Sequence, residues 1–227
     1  MKVIKNIKLI IFDWDDVFTL WSREGYFKCY DETLRDIGVH LWKEEQETRI
    51  RAKWWKAHHD VLGELLREHP ELLSQACEVH EKKLFGETFA NCLRLVEGSK
   101  DTLKKLSEKY LLTIATGLHP DLLRNVIMPK FEVPDVFSTI ISSYDVSNPE
   151  LQKPHPHIAN TILEKHWVSP EEAILVGDAR GDVAMARAAW VTPVVVLTGY
   201  LSQEEAENLE VEYILRDVGK IGTLFDN

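Results

Sequence analysis

Three scarcities narrow the possibilities before any motif is read. Only three cysteines occur in 227 residues, Cys29, Cys77 and Cys92. Their odd number, wide spacing and lack of any Cys-x-x-Cys argue against a disulfide framework or a zinc knuckle. They fit free thiols in a reducing compartment, so a cytoplasmic location is expected. Basic residues are also short, 27 Lys and Arg against 37 Asp and Glu, for a net charge of −10. With no Arg/Lys-rich arm or basic stripe, neither nucleic acid nor an anionic membrane is expected as a partner. An acidic chain also repels anionic ligands, so any anion site here needs a cation of its own. Long hydrophobic runs are missing too. Leu9 to Phe12 is too short for a signal-peptide core, and nothing approaches a membrane span. There is no internal repeat and no low-complexity tract.

What is present is ordinary in amount: a hydrophobic set of 44% and charged residues at 28%. The length suits one large domain, or one domain carrying a smaller insert. The character of the chain changes twice. From about Asp31 to Cys92 apolar residues recur at helical spacing: Trp42, Trp54, Trp55, Val61, Leu62, Leu65, Leu66, Leu72, Leu73 and Leu84. They alternate with charge runs, Lys43 to Glu47 and Arg49-Ile50-Arg51, that read as solvated helix faces. The three tryptophans read as helix core.

From Gly98 onward strands and helices alternate. Helix is expected at Lys100–Glu108, Pro120 to about Val126, His157–Lys165, Val183–Ala189 and Glu204–Asn208. Strand is expected at Leu111–Ala115, Ser138–Ser142, Ala173–Gly177, Pro193–Leu197 and Tyr213–Leu215. Such alternation predicts an α/β fold, a Rossmann-like parallel sheet with helices on both faces. Leu9–Phe12 joins this sheet as its first strand. The helical block then becomes an insertion after that strand, with 1–21 and 93–227 forming the α/β core and 22–92 the helical part.

Ligands of open α/β sheets bind beyond the carboxyl ends of the strands, and four polar clusters fall there. Asp13-Trp14-Asp15 follows the first strand. Carboxylates so close repel one another unless a proton or a cation lies between them. Thr116-Gly117 follows Leu111–Ala115, and a hydroxyl with a free amide before a helix can cradle an anion. Lys153, within Gln152-Lys153-Pro154-His155-Pro156, offers a positive charge on a loop stiffened by two prolines. His155 and His157 lack partners at a spacing typical of transition-metal sites. Gly177-Asp178…Asp182 supplies two carboxylates four apart as a helix begins, hard oxygen ligands suited to Mg²⁺.

Taken in order, these clusters resemble the four motifs of the haloacid dehalogenase superfamily. The likeness covers roughly residues 7–20 and 92–220, with a helical insert where that family places its smaller cap. The resemblance implies that Asp13 is the nucleophile and Asp15 the general acid and base. It implies that Asp13, the carbonyl of Asp15 and Asp178 hold Mg²⁺, with Asp182 supporting them from behind. Thr116, Gly117 and Lys153 then hold the transferring phosphoryl oxygens. An acid two positions after the nucleophile points to phosphoryl chemistry rather than carbon–halogen cleavage. The cap position and the Lys153 loop look like the phosphoglycolate phosphatase and β-phosphoglucomutase branch.

Two positions depart from the family pattern. Asp16 stands where a glycine usually follows the second aspartate, and Trp190 where a glycine usually ends the helix after the acidic motif. A left-handed helix terminus favours glycine, so Trp190 is expected to be strained or to pack on a neighbouring surface. The expected activity is Mg²⁺-dependent hydrolysis of a small phosphorylated metabolite through an aspartyl-phosphate, by a monomer or a homodimer. A phosphomutase and a non-enzymatic binding relative are the alternatives. Arg23, Tyr26, His58 and His59 of the insert are candidates for substrate selection by their chemistry and position.

Overall fold

A computed structural model describes residues 3–54 and 57–225. The chain forms two compact units, Met1–Leu20 with Arg94–Asn227, and Trp21–Leu93.

The larger unit is a six-stranded sheet in the order β5-β4-β1-β6-β7-β8, parallel throughout. Its strands are β1 (Leu9–Phe12), β4 (Leu111–Thr116), β5 (Phe137–Ser142), β6 (Ala173–Gly177), β7 (Thr192–Val196) and β8 (Tyr213–Leu215). β1 lies between β4 and β6, and all four of its residues are fully buried. A strand covered on both faces has no polar side, which is why it appears in the sequence as an unbroken apolar run. A separate two-stranded antiparallel ribbon pairs β2 (Thr19–Leu20) with β3 (Arg94–Leu95). Two residues per strand are too few to leave a periodic signal, and the sequence reading did not anticipate it.

Helices of this unit are α6 (Ser99–Ser107), α9 (His157–His166), α10 (Arg180–Ala188) and α11 (Gln203–Asn208). The helix opened by Pro120 runs further than expected. It passes from α7 (Pro120–Leu122) through a π turn at Leu123–Ile127 into α8 (Met128–Lys130). The helix expected from Val183 starts three residues earlier, at Arg180. On one apolar cluster, Ile158, Ile162 and Leu163 of α9 and Met185 and Ala186 of α10 pack with Leu9, Ile11 and Leu175 of the sheet.

The smaller unit is helical: α1 (Ser22–Asp36), α2 (Lys43–Ala52), α3 (His58–Leu65), α4 (Leu73–Phe85) and α5 (Glu87–Cys92). Its core gathers Tyr30, Leu34, Ile50, Val61, Leu62, Leu65, Leu66 and Ala76, with Trp54 against it. Two expectations fail here. Trp42 is 85% exposed, because it precedes the first turn of α2 and its place on the apolar stripe is never wound in. Arg49, assigned to a solvated face, is buried; it pairs with Glu45 and Glu68 and donates to the Leu65 carbonyl at 3.0 Å. A guanidinium whose two terminal nitrogens meet carboxylates and a carbonyl can be buried where a lone charge cannot. Trp55 lies outside the described residues.

Tyr26 and His58 sit in an aromatic group of the same unit, their rings 5.7 Å apart, with Tyr26 also 4.6 Å from Phe89. Arg23 and His59 are largely exposed. Among the described residues no helix is long and apolar enough to cross a membrane.

Candidate active site

Parallel pairing decides which loops meet. Phe12 stands beside Ile114 of β4 and Val176 of β6. The next residues, Asp13, the Thr116 end of β4 and Gly177-Asp178, therefore leave three adjacent strands at the same edge. The Asp13 amide still donates to the Val176 carbonyl at 2.8 Å, so the carboxylate starts from a fixed backbone. Thr116 is fully buried, and its hydroxyl accepts from the Leu118 amide at 3.1 Å. Gly117 is exposed, and an added Cβ there would meet nothing within 4 Å. Packing therefore does not require the lack of a side chain here.

Lys153 crosses from its loop to the carboxylates. Its ammonium lies 3.0 Å from Asp13 Oδ1 and 2.8 Å from Asp182 Oδ1. The other oxygen of Asp182, Oδ2, accepts from the Ala179 amide at 3.2 Å. Asp178 is 2% exposed, and its Oδ2 accepts from the Tyr200 amide at 2.9 Å. Asp178 and Asp182 face the same point, as their spacing allows, but they do not reach it from one helix face. Asp178 precedes the helix, and Asp182 folds back from its first turn onto the amide of Ala179.

Two glycines make this packing possible. A Cβ on Gly177 would come within 2.3 Å of the Asp182 Cβ, and one on Gly199 within 1.8 Å of Asp178 Oδ2. The segment from Thr198 to Leu201 is thus part of the site: Tyr200 donates to the Asp178 side chain and the Leu201 amide to its carbonyl at 2.9 Å. Sequence reasoning found a family likeness at Val194 to Gly199 but gave this segment no role in the site. Its only signal was a glycine following the strand at β7.

Carboxylate oxygens of Asp13, Asp178 and Asp182 all lie within 4.8 Å of one another. Their burial has an electrostatic consequence. Desolvation raises the Asp13 pKa to about 6 although Lys153 pulls it down, and Asp182 pushes it further up. Desolvation, Asp182 and Asp13 together hold Asp178 well above the usual carboxylate range. Burial alone would lower the Lys153 pKa, but Asp13 and Asp182 outweigh it and keep the ammonium firmly charged. Three carboxylates against one ammonium leave a deficit of two positive charges in a poorly solvated space. Hard oxygen donors with that deficit fit a divalent cation such as Mg²⁺. Among the described residues this group includes neither His155 nor His157, and the His157 amide donates to His155 Nδ1 at 3.1 Å.

The two departures from the family pattern both have positive φ, Asp16 at 54° and Trp190 at 60°. These are the left-handed conformations that glycine adopts freely. Asp16 is 7% exposed, whereas Trp190 is 85% exposed. The neighbouring surface expected to receive the Trp190 indole is not used.

Comparison with known proteins identifies the family. The family model described as haloacid dehalogenase-like hydrolase matches residues 7–189. A phosphoglycolate phosphatase of Vibrio cholerae is 26% identical over 227 residues, covering 96% of each chain. A HAD-superfamily hydrolase of subfamily IA from Geobacter sulfurreducens superposes with a TM-score of 0.72 at 22% identity over 100% of both chains. A Thermotoga maritima protein provisionally described as a β-phosphoglucomutase gives 0.76 at 20% identity, over 96% of this chain and 98% of its own. With the family model spanning most of the sheet unit and the whole helical unit, this chain belongs to the haloacid dehalogenase-like hydrolases.

Proposed function

We propose that the protein is a phosphatase that hydrolyses a small phosphomonoester through an aspartyl-phosphate on Asp13. The observation that carries this reading is the placement of Asp13 at the end of the central strand, ion-paired to Lys153 at 3.0 Å and grouped with Asp178 and Asp182. In this reading Asp13, Asp178 and the main-chain carbonyl of Asp15 would hold Mg²⁺. The ion would screen the negative charge that otherwise keeps a carboxylate away from a phosphate ester.

The chain's own groups then divide the work. One oxygen of Asp13 attacks phosphorus, and the bond from phosphorus to the ester oxygen breaks. Asp15 gives its proton to that departing oxygen, so an alcohol leaves rather than an alkoxide. Asp15, now ionised, takes a proton from a water molecule as its oxygen attacks the same phosphorus. The phosphorus–Asp13 bond breaks, which restores both carboxyl groups to their starting states. Thr116, the Gly117 amide and Lys153 hold the non-bridging oxygens, where charge gathers in the transition state. Asp182 is a positioning residue: one oxygen holds the Lys153 ammonium and the other the Ala179 amide.

The helical unit, residues 22–92, acts in this proposal as the cap that selects the leaving group. Phosphoglycolate is the first ester to try, because curated relatives carry that activity in their names. The test is release of inorganic phosphate from a panel of phosphomonoesters with Mg²⁺ and with EDTA. Turnover should require the metal and vanish in Asp13→Asn, and ³²P from a labelled ester should stay on acid-quenched wild type only. Turnover retained in Asp13→Asn would refute the mechanism. An isomerised sugar phosphate without net phosphate release would instead establish a mutase.

A further inference from the structure

We infer that the end of the α/β unit opposite Asp13 is a docking surface for a second copy of this chain, built on Trp167 and Trp190. The inference is independent of the phosphatase reading.

Local backbone gives the first observation. Trp167 follows α9 with φ 55°, and Trp190 follows α10 with φ 60°. The Val168 amide donates to the Leu163 carbonyl at 3.1 Å, and the Val191 amide to the Ala186 carbonyl at 2.9 Å. Each bond reaches back five residues across a left-handed residue, a helix ending that favours glycine. Leu163, Val168, Ala186 and Val191 belong to one buried cluster, so both turns are anchored to the same core. Glu210 ends α11 by the same pattern, with φ 54° and the Val211 amide on the Ala206 carbonyl at 3.1 Å. Glutamate in that place keeps a solvated side chain at no further cost. Tryptophan does not: Trp167 is 94% exposed and Trp190 85%. Two strained turns thus hold large apolar rings away from the core of their own unit, where strain serves no folding purpose.

Topology puts the two rings on one edge. Trp167 leads into β6 and Trp190 into β7, neighbouring parallel strands. Both stand where the strands begin, whereas Asp13, Thr116 and Asp178 leave the edge where they end. Charge then identifies the occupant. The chain carries −10, so an anionic lipid surface is repelled. The exposed charges flanking the rings are of both signs, Lys165 and Arg187 against Glu164 and Glu210. They are also ordered along the edge. Lys165 lies toward β5, where it lines a cavity with Ser138 and Thr139. Glu210 lies toward β8, and its carbonyl accepts from Arg187 at 3.1 Å. A two-fold axis between the rings sets Trp167 of one copy on Trp190 of the other, and Lys165 opposite Glu210. A surface that complements itself suits a second copy. Area sets the strength. Two covered indoles remove about 300–500 Å² per copy, against about 800 Å² in a standard interface. The association is therefore weak, with a dissociation constant of about 10–100 µM, and more dilute protein is monomeric.

Sedimentation velocity on the full-length protein, from about 1 to about 500 µM, tests this. Wild type should pass from monomer to dimer across the range. Trp167→Gly and Trp190→Gly should each weaken dimerisation at least about tenfold, as for loss of one aromatic anchor, and the double variant should stay monomeric. Glycine suits the φ of both positions, so the dilute variants should melt no lower than wild type. Exchanging charges reads the arrangement: Lys165→Glu should weaken dimerisation, and adding Glu210→Lys should restore it. A wild type that stays monomeric throughout would overturn the inference and leave the rings to another partner. A dimer that the double tryptophan variant keeps would overturn it as well. Failure of the charge exchange to restore the dimer would overturn the two-fold pairing.

Discussion

His80 should make the protein acid-sensitive well above the pH at which carboxylates protonate. The ring is 2% exposed in the helical unit and lies stacked on Tyr30, centroids 4.4 Å apart, with the His58 ring at 4.9 Å. Its tautomer follows from its neighbours. The Thr33 hydroxyl donates to the Cys29 carbonyl at 2.7 Å, so toward His80 Nδ1, 3.4 Å away, it acts as an acceptor. Nδ1 then carries the proton, and Nε2 is a buried lone pair with no hydrogen-bond partner. Protonating it places a charge among aromatic rings. Desolvation, and after it the charge on His58, lowers the pKa from 6.5 to about 3.

The direction of the effect follows from linkage. The folded-state pKa is depressed, so the unfolded chain binds the proton more readily. Stability is complete above about pH 6.5 and is lost as the pH falls toward 3. At about 1.4 kcal/mol per pKa unit, the loss is about 2 kcal/mol between about pH 7.5 and about pH 5. Urea unfolding followed by circular dichroism at those two pH values gives the change for wild type. The same measurement on His80→Gln removes this one proton, and any packing loss in the variant is the same at both pH values. Wild type should lose about 2 kcal/mol more than the variant across the interval. Parallel behaviour of the two proteins, or an NMR titration of His80 near 6.5, would refute the burial reasoning.

Three further expectations concern the larger unit. Gly199→Ala puts a methyl group where Asp178 Oδ2 now lies, 1.8 Å from the added carbon. Calorimetry should show Mg²⁺ affinity reduced at least about tenfold while the fold is kept, as one displaced ligand implies. Lys153→Gln removes the ammonium between Asp13 and Asp182. Phosphate release should fall at least about a hundredfold, as for loss of one transition-state donor, while Mg²⁺ binds more tightly because a competing cation is gone; weaker binding of the ion would count against this. Trp190→Gly relieves φ 60° at a site where the 85% exposed indole packs on little. Urea denaturation should show a gain of about 0.5–1 kcal/mol, and a loss would mean that the indole has a partner.

Much of the α/β unit was legible because its strands are apolar runs bounded by polar turns, and the central ones are buried on both faces. Leu9–Phe12, Ala173–Gly177 and Tyr213–Leu215 fall where the apolar runs lie. The helices were legible in place but not in extent, since a π turn and an early N-terminus leave the apolar spacing almost unchanged. Trp42 and Arg49 were misjudged for related reasons. Periodicity reports which side of an ideal helix a residue takes. It does not report whether the helix has begun, or whether a charge finds enough acceptors to be buried.

The site divides in the same way. Composition and local order determined that two acidic clusters and one hydroxyl stand at strand ends, with one lysine on a loop, because turn chemistry and hydrophobic runs are local properties. Tertiary structure decided what those groups do to one another. Parallel pairing placed Asp13, Thr116 and Asp178 on adjacent strands, and the Lys153 loop closed on Asp13 and Asp182 from 29 residues before Asp182. It also brought Thr198–Leu201 onto Asp16 and Asp178. The raised pKa of Asp13 exists only there: burial and charges distant in sequence set it, and neither is written in the residues on either side.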